Sequence, residues 1–294
     1  ESHIQMKEIK KQKNKKRKQI LRRRIYMMTA GLFVLLAVAF ARGHHSAGKE
    51  DDLSSKTKEV IQNKTQEEMY TSRLERVKAM AKNQGYPKGV IELLDKNEDT
   101  IDFVEDYGEK KDQAAAKNIG VKIQKGTIPE LIQWNERWGY TKYGISIVAV
   151  SGCGPTCMSM VVSGLTGNTK ITPARTAAYS VRHNLIDEEN NTYWEFMEKA
   201  AKHWGLNCYA GMLNKKQLKA ELGKGHPVIC SVGPGDFTKN GHFIVLSGWK
   251  DGKIQVNDPF SRQNSQKLWT YSRIKKQAKS MWVYSYSKKQ VQER

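Results

Sequence analysis

Along this chain the apolar positions change period, and the change marks its organisation. From 56 to 83 they fall at helical spacing, with Tyr70, Leu74, Val77 and Ala81 on one face, until Gln84-Gly85-Tyr86-Pro87 stops the pattern. A short helix is predicted over 88–94, and Ile101, Phe103 and Val104 precede a polar run from 108 to 117. Trp134, Trp138, Tyr140 and Tyr143 then crowd a short span and read as an aromatic plug beneath a loop. A buried helix opens at Cys153: Gly152 and Gly154 allow a tight turn and Pro155 suits the first helical position. Cys157, Met158, Met160, Val161 and Val162 keep it apolar as far as a stop near Gly164 or Gly167. Thr172-Pro173 opens another helix, and 216–222 forms one more. Between them Thr192 is read as the cap of a helix whose buried side is Trp194, Phe196, Met197, Ala200 and Ala201.

From Pro227 the signal turns to strands, over 227–232, 242–249 and 254–257, with Lys250-Asp251-Gly252-Lys253 as a hairpin turn between the last two. A helix over 271–278 and a strand over 281–284 follow. A strict two-residue turn sets Asp258 across from Val245, so contact between Asp258 and His242 needs a bend near Pro259 or a shifted register.

Ahead of all this stands a run of a different kind. Residues 25–41 are 17 uncharged, mostly apolar residues, just long enough to cross a bilayer at about 1.5 Å per residue. Residues 1–24 carry 11 Lys and Arg against 2 Glu, while only Arg42 and Lys49 lie close on the other side. That asymmetry keeps the amino end cytoplasmic and exports the rest. Ala39-Phe40-Ala41 leaves open a cleaved signal segment and a secreted product, but the long basic region favours a retained single-pass anchor. The expected organisation is a basic cytoplasmic tail at 1–24, an anchor or signal segment at 25–41, a linker at 42–55, a helical prelude at 56–125 and a catalytic domain at 126–294.

Of the formal net charge of +20, +9 belongs to residues 1–24, so the remainder is only moderately basic. A nucleic-acid partner is therefore not expected, since that reading wants a basic stripe interleaved with aromatics on the domain itself. The four cysteines, at 153, 157, 208 and 230, form no Cys-x-x-Cys pair, and neither a disulfide framework, a metal nor an organic cofactor is expected.

Chemistry concentrates at Cys153. At a helix start its thiol sits among unpaired N–H groups whose partial positive charge favours the thiolate, which makes it a candidate nucleophile. His242 heads one strand and Asp258 ends the next, 16 residues on. Singly, each has a structural reading: a small buried cysteine beside a glycine turn, a packed histidine, a turn aspartate before proline. Together, in this order, they are a nucleophile, a base and an acid that orients the imidazole. Gln133 offers a side-chain N–H to an oxyanion, and Cys157, one turn inside the helix, reads as packing.

Three motifs carry a family resemblance: Ser151-Gly152-Cys153-Gly154-Pro155-Thr156, Gly241-His242-Phe243-Ile244-Val245-Leu246-Ser247-Gly248 and Val256-Asn257-Asp258-Pro259. Over about 128–286 the chain resembles the peptidase C39-like family of papain-fold cysteine peptidases, in its exported bacterial branch. The resemblance implies an α+β papain-like fold, with the nucleophile helix packed on an antiparallel sheet. It gives Cys153 the nucleophile's place, His242 the base's, Asp258 the orienting acid's and Gln133 the oxyanion glutamine's. Here 20 residues separate Gln133 from Cys153, so an inserted loop must return it to the site. The transporter and ATPase segments that accompany leader-cutting members are missing from this sequence. The expected substrate is then an extracytoplasmic peptide or protein, with cell-wall peptide as one candidate and the membrane as the partner of the amino-terminal helix. Two alternatives stay open: a non-catalytic binding module in the same fold, and a thiol-dependent peptidyl transferase.

Overall fold

The computed structural model describes residues 47–287; the basic tail and the apolar segment 25–41 lie outside them. The chain divides between Met69 and Tyr70 into two compact units. In the first, the described residues belong to helix α1 (Ala47–Asn83), with the side chains from 62 to 69 all exposed. The helix begins within the stretch expected as a linker, where Lys and Glu supply helix propensity without any apolar period to announce it. Among the described residues no helix is long and apolar enough to cross a membrane.

In the second unit the end of α1 buries Val77 and Ala81 against α2 (Lys88–Lys96), a 3-10 turn (Glu98–Thr100), α3 (Ile101–Glu105) and α4 (Tyr107–Lys110). The helices stop there. Residues 111–141 run without helix or strand, and the aromatic span joins the same core. Phe103 stacks on Tyr140 at 4.2 Å between centroids, and the Tyr140 hydroxyl donates to the Phe103 carbonyl at 2.9 Å. A small hairpin, β1 (Lys142–Tyr143) with β2 (Ser146–Ile147), leads through α5 (Val148–Ser151) into α6 (Cys153–Thr166).

Helix α6 is buried continuously from Gly154 to Leu165 and ends at Gly167, whose φ of +76° is the left-handed cap that glycine supplies. It starts at Cys153, as expected, but Pro155 takes the third position and not the first, still within the turn whose N–H groups have no intrahelical partner. At Gly164 the helix presses on the chain at 127–128 so closely that a Cβ would stand 2.7 Å from Ile128 Cδ1 and 2.9 Å from the Thr127 carbonyl. Next come α7 (Pro173–Arg182), capped by Thr172, and α8 (Glu195–His203), whose cap position is Trp194. Thr192 does not cap α8: its hydroxyl is taken by the Tyr143 hydroxyl at 2.8 Å.

The remaining elements are β3 (Asn207–Ala210), α9 (Lys215–Gly223), β4 (Val228–Val232), β5 (His242–Lys250), β6 (Lys253–Asn257), α10 (Arg262–Ser265), β7 (Leu268–Trp269), α11 (Tyr271–Gln277) and β8 (Ala278–Ser285). The strands form one antiparallel sheet in the order β3-β8-β4-β5-β6-β7. Both faces are covered. Ile229, Phe243, Val245, Trp282 and Tyr284 share a core with Cys157, Met160 and Val161 of α6, while Val228, Cys230, Ile244 and Leu246 pack with Leu218 and Leu222 of α9 and Ile274 of α11. Burial on two sides explains why β4 is apolar at every position but Ser231, with no alternation.

The β5–β6 hairpin decides where the acid lands. Asp251 and Gly252, at φ +50° and +74°, make a tight turn of the type hairpins favour, so Lys250 pairs with Lys253 and Trp249 with Ile254. Between Leu246 and Gly248 the register shifts, leaving Ser247 as an extra residue on β5, and from there Leu246 pairs with Val256 and Val245 with Asn257. Carried one residue further, this register sets Asp258 across from Ile244 instead of Val245. A one-residue slip changes faces, so the bulge puts Asp258 on the same alternation as His242. The bulge is pinned by side chains: the Ser247 hydroxyl donates to Asn257 Oδ1 at 2.9 Å, and Asn257 Nδ2 donates to the carbonyls of Ile128 and Pro129 at 3.2 and 3.1 Å.

Candidate active site

Three elements bring the chemistry together. Cys153 is the first residue of α6 and is partly exposed; His242 is the first of β5 and is buried; Asp258 follows β6 and is 1% exposed. His242 Nε2 and Asp258 Oδ1 lie 2.8 Å apart. With Nε2 so engaged, Nδ1 is the ring nitrogen left for the Cys153 thiol, whose ionisation the histidine favours.

The acid is held from every side. Oδ1 also accepts the Phe260 N–H at 2.8 Å, Oδ2 accepts Asn264 Nδ2 at 2.8 Å, and the Asp258 N–H donates to the Ser265 hydroxyl at 2.9 Å. Phe260 is fixed in turn, its carbonyl accepting Trp134 Nε1 at 2.9 Å and Asn97 Nδ2 at 2.7 Å. Sequence reasoning missed Asn264, Ser265, Phe260 and Asn97. The first three lie in a polar stretch that reads as plain loop, and Asn97 lies 163 residues from its partner, beyond any local pattern.

The electrostatics follow from this packing. Burial alone would push the Cys153 thiol up, but the hydrogen bond and charge of His242, with the N–H groups of Phe243 and Gly154, outweigh it and hold the thiol below its ordinary range. Burial pulls His242 down, yet the Asp258 carboxylate and the Cys153 sulfur overcome that and raise it to about 10. Asp258 is pushed up by burial and drawn below the usual carboxylate range by His242, Asn264 and the Phe260 N–H. Cys157 has no such partners. Burial, followed by the charges of Cys153 and Asp258, keeps it a neutral thiol.

Gln133 is buried, its main-chain N–H donating to the Pro259 carbonyl at 2.7 Å and its Nε2 to the Ala149 carbonyl at 2.9 Å. Gln133 thus bridges the loop of the acid and the turn that leads into Cys153. The 19 residues between Gln133 and Cys153 are taken up by the aromatic span, the β1–β2 hairpin and α5. Among the described residues no group of three or more His, Cys, Asp or Glu is placed to hold a metal ion.

Fold and site together define a class: an α+β protein in which a cysteine at the start of a buried helix meets a histidine and an acid from neighbouring strands of an antiparallel sheet. Residues 126–291 match the model of the Peptidase_C39 like family, and the chain belongs to that family. Among solved structures it is similar to the peptidase domain of Streptococcus ComA, a bi-functional ABC transporter involved in a quorum sensing pathway, at 18% identity over 47% of this chain and 93% of that one, with a TM-score of 0.36. It is also similar to a double glycine motif protease from an AMS/PCAT transporter, solved with its leader peptide (19% identity, 46% and 84% covered, TM-score 0.34). A third likeness is to a Bacillus anthracis protein described as a C39-like peptidase (13% identity, 55% and 96% covered, TM-score 0.34). No curated protein matches the chain.

Proposed function

We propose that this chain is a cysteine peptidase or amidase that cleaves peptide bonds through a thioester acyl-enzyme, with Cys153 as nucleophile, His242 as acid and base, and Asp258 as the residue that orients the imidazole. The observation that carries the reading is the buried 2.8 Å His242–Asp258 bond, with a partly exposed helix-start cysteine on the other ring nitrogen. The resting pair is a thiolate and an imidazolium. The Cys153 sulfur attacks the carbonyl carbon, and the electron pair of the C=O moves to oxygen. That oxyanion is met by the Cys153 N–H, an orphan donor at the first helical position, and by the second Nε2 proton of Gln133. As the C–N bond breaks, Nδ1 of His242 gives its proton to the departing amine. The neutral imidazole then takes a proton from water, whose oxygen adds to the thioester; the acid product leaves and thiolate and imidazolium are restored. Asp258 stays ionised throughout and holds Nε2–H in place.

The polybasic tail and the apolar segment 25–41 support a membrane-anchored enzyme with the catalytic domain outside the cell, acting on extracytoplasmic or wall-associated peptides. Alkylation of the full chain in detergent, followed by intact mass from about pH 4 to 9, tests the reading. One fast adduct at mildly acidic pH is expected, absent in Cys153→Ala and slowed in His242→Ala. Slow labelling with an ordinary thiol profile, indifferent to His242→Ala, would overturn it.

A further inference from the structure

Two independent chains of contact run from Cys153 to one exposed aromatic side chain. On the helix side, Gly154 follows the nucleophile, and a Cβ there would stand 3.0 Å from both Cγ2 and Oγ1 of Thr192, two residues before Trp194. On the sheet side, the Phe243 N–H faces the Cys153 sulfur. The Phe243 ring lies 6.3 Å from that of Trp282, and Trp282 meets Trp194 edge to face at 5.6 Å with the planes at 75°. The inner members of this line are buried, Phe243 at 8% and Trp282 at 2%, whereas Trp194 is 51% and its neighbour Tyr193 46% exposed.

The loop that carries them is rigidly placed. Tyr143 bonds Thr192 Oγ1 at 2.8 Å, Asn190 Nδ2 donates to the Tyr143 carbonyl at 2.8 Å, and Asn190 Oδ1 accepts the Ile145 N–H at 3.0 Å. An indole packed against a buried one, half exposed and tied to Cys153 through two routes, has the form of a recognition wall rather than of a stray surface residue.

We infer that Trp194, backed by Trp282 and flanked by Tyr193, is a specificity-determining residue: it receives an aromatic or branched apolar side chain of the peptide substrate, close to the scissile bond. The inference rests on the cysteine-peptidase reading and names the chemistry that its site selects. Trp194 and Tyr193 offer exposed aromatic surface linked to Cys153 through Gly154 and through Phe243, so a large apolar side chain gains burial there that glycine cannot.

The test uses the full chain and two kinds of electrophile. Iodoacetamide reports the thiolate alone. A set of tripeptidyl acyloxymethyl ketones, all-glycine or with phenylalanine moved through the three positions, reports recognition. In the parent, one phenylalanine position is expected to label Cys153 at least about tenfold faster than all-glycine, the scale of a single apolar pocket. Trp194→Ala should bring that ratio to about two or less with the iodoacetamide rate unchanged, which also shows that the site is still assembled, and Trp194→Phe should keep most of it. Persistence of the preference in Trp194→Ala, or no preference in a parent that iodoacetamide labels fast, overturns the inference and leaves the peptidase reading standing. Slow labelling of the parent by both reagents overturns the two together.

Discussion

The fold draws the Cys153 thiol down and the His242 imidazole up, and both shifts have a thermodynamic signature. Unfolded, histidine titrates at about 6.5 and cysteine at about 8.5. The lowered thiol adds an acid arm: its contribution is fully present above the cysteine's unfolded value and is lost as pH falls through the folded one. The raised imidazole adds an alkaline arm: its contribution is fully present below the histidine's unfolded value and is lost as pH rises through the folded value of about 10, with a limiting slope of about 1.4 kcal/mol per pH unit. Asp258, depressed in the fold, adds to the acid arm, because its contribution is lost as pH falls through its folded value. Urea unfolding across pH should show stability lost at both ends, and Cys153→Ala combined with His242→Ala should remove both arms that the pair creates. Asn264 is the quieter member of the site. Asn264→Ala strips Asp258 Oδ2 of its donor and is expected to cost about 1–3 kcal/mol and to slow alkylation of Cys153, read by denaturation and intact mass.

At the scale of elements, what local rules govern was legible in the sequence and what tertiary pairing governs was not. The α6 helix, the Asp251-Gly252 turn and the strands at 228–232 and 242–250 declare themselves by glycine position and apolar run. So do Cys153, His242 and Asp258, since each stands at an element boundary. β3 does not: Asn207–Ala210 is an edge strand, mostly exposed and without alternation, and it exists because β8 pairs with it. The two-residue β1 and β2 are equally silent. The Ser247 bulge is the instructive case. The turn predicts one register, the structure has another beyond Ser247, and the difference comes from Asn257 binding the carbonyls of 128 and 129, far off in sequence. Helix α6 is constrained in the same long-range way at Gly164. Although alanine is the better helix former by about 1 kcal/mol, Gly164→Ala drives a methyl into the backbone at 127–128. A net loss of about 1–3 kcal/mol is expected in a thermal or urea melt.

Across the second unit, the helices before residue 111 and the domain that bears the site are one folding body. Their shared core contains Val77, Leu93, Phe103 and Val104 from the helices, with Trp134, Tyr140 and Ala149 from the chain leading to Cys153. Asn97 reaches across to the Phe260 carbonyl, one residue pair from Asp258. Deleting residues up to 110 should therefore abolish both the cooperative melt and the fast alkylation, where a separable prelude would leave them intact. Cys153 itself hangs on a helix that has no solvent face, buried from Gly154 to Leu165 between the sheet and its neighbours. Amide hydrogens of such a helix cannot exchange with deuterium by fraying at a surface; they wait for the whole body to open. The most slowly exchanging segment of the protein should then be the one that begins at Cys153, so that gradual heating would extinguish alkylation and the last protected amides in a single step.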